Sequence, residues 1–169
     1  MKAETFPVYY HDYIKLVPEQ TDPQELLDYS LKELFKSLAM VTEEKAEQAY
    51  AEGKWSIKDI VQHMIDTERI FCFRALAFAR GEKQDIFGYD HNAYVNQAKA
   101  NNRSLKAMLE ELKRLRQSTK DLFESFDETM FARKGTANGK ELSVEQIRLV
   151  IIGHEMHHLK VIESKYLFG

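Results

Sequence analysis

The chain has 169 residues, 44% of them hydrophobic and 30% charged, with a formal net charge of −3. That length suits one domain with a core that needs no covalent staples, and the weakly acidic balance excludes an electrostatic case for nucleic acid or an anionic membrane as partner. Cys72 is the only cysteine, which excludes an intrachain disulfide and points to a reducing compartment; with neither a signal-peptide run after Met1 nor any later run able to span a bilayer, a cytoplasmic protein is expected.

Residues 1–20 mix aromatics with Pro7 and Pro18 without a stable period, and read as an arm lying across a single domain of residues 1–169. His11, among Tyr9, Tyr10 and Tyr13, is taken as a surface or packing residue. A first helix then starts crisply. Asp22 can cap it, Pro23 suits the first helical position, and Leu26, Leu27, Leu31, Leu34, Phe35 and Leu38 recur at helical spacing, up to an end near Met40. Segment 42–54 is charged and alanine-rich, a half-formed helix broken by Gly53.

Ser56 caps the second helix, with Asp59 standing where a capping box has Glu or Gln. Ile57, Ile60, Val61, Met64, Ile65, Phe71 and Cys72 supply its apolar face, and Gly81 stops it. His63 lies beside that stripe and by itself is a weak signal. After a loop over 82–90, a short helical piece begins, with Asp90 or His91 near its start as an ordinary cap. The third long helix opens at Asn102 or Arg103, and Leu105, Met108, Leu109, Leu112, Leu115, Leu122, Phe123 and Phe126 form its core face. Lys113, Arg114, Arg116 and Lys120 are interspersed with acids and belong to its solvated side. Residues 127–142 are the longest breaker-rich stretch and read as a mobile surface loop. With four long helices and no period-2 strand, the fold expected is an all-α four-helix bundle with an N-terminal arm.

The fourth helix, starting at Ser143, carries the chemistry. At about 100° per residue, Ile147, Ile151, His154, His158, Val161 and Ile162 share one sector less than half the circumference wide. A lone histidine on such a stripe is usually a satisfied core residue. Two imidazoles at i, i+4 in a dry interior each need ring partners, and one divalent ion satisfies both. The letters His154-Glu155-x-x-His158 also match the zinc-protease helix, but Val161 and Ser164 occupy the places of its longer form's Gly and third His, and Glu155 points about 100° away from His154. A third ligand from another helix makes a bundle site instead. His63 is the candidate, and three histidines leave zinc a fourth position open for water or substrate. His157, rotated roughly 90° from the stripe, should stay outside the ligand set. A second apolar stripe, Leu149, Ile152, Met156, Leu159 and Tyr166, lies on the opposite side and needs a cover. Either the arm or a second copy could supply it, and a twofold homodimer is the expectation.

The segments Gly53-Lys54-Trp55-Ser56-Ile57-Lys58-Asp59-Ile60-Val61-Gln62-His63, Gly88-Tyr89-Asp90 with Ala93-Tyr94-Val95, and Gly153-His154-Glu155-Met156-His157-His158 resemble, in their order and spacing, the DinB/YfiT-like superfamily over about residues 20–168. The resemblance implies a four-helix bundle, usually dimeric, with a divalent metal held by His63, His154 and His158. It implies activities that are mostly thiol-dependent S-transfer with bacillithiol or mycothiol, with a few isomerases and hydrolases. Phe87 stands where the family more commonly has Pro before Gly-Tyr-Asp. The expected function is a metal-dependent enzyme on a small molecule, in which zinc, or alternatively nickel, iron or manganese, turns a low-molecular-weight thiol or water into a nucleophile. The alternative is a non-catalytic dimeric bundle with a structural or adventitious metal. No catalytic side chain is assigned.

Overall fold

The helices begin where their caps are written. The computed structural model describes residues 3–168; Met1 and Lys2, the first two residues of the expected arm, and Gly169 lie outside the described residues. Two short 3₁₀ turns, Ala3–Thr5 and Val8–Tyr10, lead into α1 (His11–Ile14). Asp22 accepts from the Gln24 amide and Pro23 fills the first position of α2 (Pro23–Leu38). Of segment 42–54 only α3 (Glu43–Glu47) is helical. A complete capping box, Ser56 with Asp59, opens α4 (Ile57–Ala79). Asp90 caps α5 (His91–Ala98), and Ser104, rather than Asn102 or Arg103, caps α6 (Leu105–Glu124). The chain continues through α7 (Glu128–Ala132), β1 (Lys134–Ala137) and β2 (Lys140–Ser143). A second capping box, Ser143 with Gln146, starts α8 (Val144–Ile162), whose end passes into a π-helical turn, Glu163–Leu167.

The hairpin replaces the expected surface loop. Its signal is Asn138-Gly139, both at positive φ (52° and 67°), the pair of left-handed residues that a two-residue hairpin turn needs. Loop 82–90 is tied to it: the Ile86 amide donates to the Thr136 carbonyl at 3.0 Å and the Asn138 amide to the Ile86 carbonyl at 2.9 Å.

In the bundle α4 packs on α6 and α8, and α2 packs on the same two. Of the consecutive pairs among the long four, α2 with α4 and α6 with α8 therefore sit on diagonals, and α4 with α6 are neighbours. The apolar interior falls into two clusters. One gathers Phe6, Tyr10 and Ile14 of the arm with Leu27, Phe78, Phe123 and Ile147; the other gathers Leu34, Ile57, Ile65, Met108, Leu112 and Ile162. A polar layer at mid-height separates them, built from Ser30, Glu68, Arg116, Thr119, His154, Glu155 and His158, all buried.

Arg116 corrects the expectation of a solvated side chain, because only 1% of it is exposed. Leu112, Arg116, Thr119 and Phe123 recur at i, i+4, i+7, i+11, which is the buried face of α6. Arg116 holds Glu68 of α4 with Nε to Oε1 at 3.0 Å and Nη2 to Oε2 at 2.8 Å, and Nη1 donates to Glu155 of α8 at 3.0 Å and to the Leu27 carbonyl of α2. One guanidinium thus ties α6 to the other three long helices.

The second apolar stripe of α8 has an intramolecular cover. Phe6, Tyr10 and Ile14 join Leu149 and Ile152 in one buried cluster with Met156 packed against it. At Gly153 a Cβ would stand 2.5 Å from the Tyr13 carbonyl oxygen, so the arm's backbone touches the helix where no side chain intervenes. The arm thereby covers Leu149, Ile152 and Met156, while Leu159 and Tyr166 pack into the second cluster, so the stripe is covered within the chain and does not itself argue for a second copy. Among the described residues no helix is long and apolar enough to cross a membrane.

Candidate metal centre

Because α8 faces α4, the i, i+4 pair of α8 meets a side chain from across the bundle. His63, His154 and His158 each turn a ring nitrogen inward, and the three offered atoms lie within 4.8 Å of one another. The Nε2 atom of His154 is 3.0 Å from His63 Nε2 and 3.0 Å from His158 Nε2. Tetrahedral zinc with nitrogens at about 2.0–2.1 Å places ligand atoms roughly 3.3 Å apart, so the observed spacing fits one ion. In the tautomer with the proton on each outer nitrogen, the three Nε2 atoms offer only lone pairs to one another, and a shared cation satisfies all of them.

Electrostatics favour the neutral, ligating form. Burial, helped by His91, lowers the His63 pKa to about 4. Burial and the neighbouring imidazoles hold His154 and His158 well below the usual imidazole range. The outer nitrogen of His63 is addressed by a side-chain chain: Nδ1 lies 3.4 Å from Thr67 Oγ1, which is 2.8 Å from the Tyr89 hydroxyl. With Nδ1–H donating to the Thr67 hydroxyl and that hydroxyl donating on to Tyr89, Nε2 carries the free lone pair, the tautomer that metal ligation requires.

The cluster forms one end of a pocket of about 360 Å³. Trp55 packs its ring 4.9 Å from His63 and lies near parallel to His158 at 6.4 Å, while Tyr13 stands edge-on to His154 at 5.4 Å. His157 is half-buried outside the cluster, its ring 5.0 Å from Tyr13. His11 is remote, with Nε2 2.9 Å from the Phe6 carbonyl oxygen. Asp90 accepts from the Asn92 and Ala93 amides, the capping role expected of it, while its side of the loop borders the pocket beside His91.

Glu155 does not face this pocket. Its Oε2 accepts from Arg116 and from the Ser30 hydroxyl, its Oε1 is buried and unpartnered among the described residues, and the side chain borders a small separate void shared with His154 and Glu68. The zinc-protease arrangement, with the glutamate as base beside the ion, is therefore absent. The residues that sequence reasoning passed over are Thr67, Phe71 and Arg74, which line the pocket from α4 at i+4, i+8 and i+11 from His63, together with Tyr9, Tyr10 and Tyr13 of the arm. For the α4 group the helical period was the available signal; for the arm none was.

No curated protein sequence matches the chain. Among solved structures it is similar to YfiT from Bacillus subtilis, described as a probable metal-dependent hydrolase with an unusual four-helix bundle topology, with a TM-score of 0.77 and 17% identity over 88% of this chain and 90% of that one. At that identity the likeness speaks for the fold. The family model of the DinB superfamily matches residues 26–162, which include all three clustered histidines and every long helix but the first three residues of α2, and the chain belongs to the DinB superfamily.

Proposed function

We propose that the protein is a metal-dependent enzyme in which His63, His154 and His158 hold one divalent ion and the adjoining pocket takes a small molecule. The observation that supports this reading best is the convergence of three neutral Nε2 atoms at the end of a pocket open to solvent. A divalent ion bound there supplies Lewis-acid chemistry that makes water or a small thiol nucleophilic at neutral pH. Zinc fits three imidazoles best, with nickel, iron and manganese as alternatives.

The chain's own residues do the rest. Three uncharged ligands leave the ion's full charge at the reacting end. Thr67 and Tyr89 fix the His63 ring, and Trp55 with Tyr13 walls the histidines with aromatic surface that limits water. Cys72 is not the nucleophile: it lies outside the pocket, and burial pushes its thiol up to about 11. A thiol that reacts here comes from a low-molecular-weight co-substrate, as S-transfer requires, or water takes its place in a hydrolysis. We assign the protein to a reducing, cytoplasmic compartment, where such thiols and an unpaired Cys72 persist.

Metal analysis of protein purified without a histidine tag tests the centre. About one equivalent of ion per chain is expected, retained in His157→Ala and lost in His63→Ala and His158→Ala. A wild-type chain that binds no ion from a zinc, nickel or iron series overturns the reading. On loaded protein, thiol conjugation to an aryl halide, run beside ester hydrolysis, then separates S-transfer from hydrolysis.

A further inference from the structure

Arg74 stands on the histidine face of α4 and lines the same pocket away from the cluster. Only 5% of it is exposed, yet it forms no ion pair among the described residues. Among the described residues its Nε has no hydrogen-bond partner, and its single bond to protein is a long one, Nη2 to the Phe87 carbonyl oxygen at 3.4 Å. Arg116, the other deeply buried arginine, shows what the fold does when an arginine is structural: two carboxylates and a carbonyl oxygen saturate it. A buried guanidinium without a carboxylate beside it is costly unless something absent from the chain completes it through the Nη groups.

What surrounds Arg74 fits an anion. Its guanidinium lies 5.5 Å from the Phe71 ring, which supports the cation from one side without consuming its N–H donors. Lys140 of β2 lines the pocket as well and brings a second positive charge, its Nζ 5.4 Å from the Tyr9 ring. The pocket's one carboxylate, Asp90, is exposed and committed to the two amides it caps.

We propose that Arg74, assisted by Lys140, is an anion subsite that binds a carboxylate or phosphate group of the substrate, so that the pocket takes elongated acids whose reacting group reaches the histidines. This rests on the proposed function only for which end of the molecule reacts. The elongation follows from helix geometry: eleven residues separate His63 from Arg74, about 16 Å of backbone rise along α4, of which the Arg74 side chain, leaning toward the helix N-terminus, spans part and the occupant the remainder. Planar N–H donors side by side suit a two-oxygen anion.

The test uses metal-free protein, so that it stands or falls independently of the metal centre. Trp55, the only tryptophan, lies in the pocket and its fluorescence reports occupancy. Hexanoate, hexyl phosphate and hexanol serve as probes of equal chain length. The expected result is that at least one anion binds at least about tenfold more tightly than hexanol, a preference lost in Arg74→Gln and reduced in Lys140→Glu. Preference for hexanoate names a carboxylate substrate, and preference for hexyl phosphate a phosphate one. Equal binding of all three probes to the wild type, or an anion preference unchanged in Arg74→Gln, overturns the proposal. Thermal melting without ligand excludes a structural role: Arg74→Gln should melt no lower than the wild type, and a lowered melting point combined with unchanged anion binding by Lys140→Glu counts against the subsite. Failure of the metal analysis would leave these outcomes untouched.

Discussion

Arg116 Nη1 donates to Glu155 Oε2 at 3.0 Å with both side chains sealed from solvent, in the middle of the bundle. Burial pushes the Glu155 carboxyl up while Arg116 pulls it back. Burial also opposes the charge on Arg116, but Glu155 and Glu68 more than offset it and keep the guanidinium protonated. Removing the cation alone leaves two carboxylates in a dry layer. Arg116→Met should therefore cost about 3–5 kcal/mol in urea unfolding, and adding Glu68→Leu and Glu155→Leu should recover much of the loss. A single-mutant loss under about 1 kcal/mol would show that the layer is wetter than described.

Gly153 is the second sensitive point. A methyl group there meets the Tyr13 carbonyl oxygen at 2.5 Å and its carbon at 2.7 Å, both backbone atoms, so the arm must shift as a unit. Gly153→Ala should loosen the arm while leaving α8 helical, visible as faster proteolysis before Pro23 with little change in circular dichroism. Unchanged protease resistance would mean that the arm docks elsewhere.

The histidines give the metal-free protein a pH dependence of known sign. The folded pKa of His63 is about 4, below the usual imidazole value of 6.5. The unfolded chain therefore binds more protons between those values, and stability falls as pH falls through that window. His63 by itself contributes up to about 3 kcal/mol across it. Glu155, raised by burial, has the opposite slope, since its stabilisation is lost as pH rises. Comparing wild type with His63→Gln in chelator between pH 7 and pH 4 isolates the imidazole contribution; identical slopes would contradict it.

Thr67 tests orientation apart from ligation. Its hydroxyl bridges His63 Nδ1 and Tyr89 without touching the inner nitrogens. Thr67→Val should weaken zinc affinity about 10–100-fold while the fold's melting point without metal stays close to that of the wild type. An unaltered zinc dissociation constant would show that the ring is held by packing against Trp55.

Much of this was legible because it is local. The caps at Asp22, Ser56 and Ser143 mark helix starts within three residues of chain, and the i, i+4 pair His154 and His158 announces itself on one helix. His63 was reachable because it lies beside an apolar stripe. Arg116 escaped because its burial depends on partners 48, 39 and 86–89 residues away, and among Lys113 and Arg114 it looks like another solvated cation. The hairpin was hidden by the brevity of its strands, four residues each, too short to set a period, although Asn138-Gly139 carried the signal. The docking of the arm had no periodic trace, since a 3₁₀ turn and one helical turn set no stripe.

The arm supplies wall where the bundle supplies histidines. The family match spans residues 26–162, whereas Tyr9, Tyr10 and Tyr13, which wall the pocket, precede it. The three clustered histidines fall inside that match, and part of the pocket wall comes from residues outside it. Under the proposed function, exchanging residues 3–22 with those of a related bundle should therefore move selectivity between acceptors more than it moves metal affinity: the lock and its keyhole plate come from different stretches of chain.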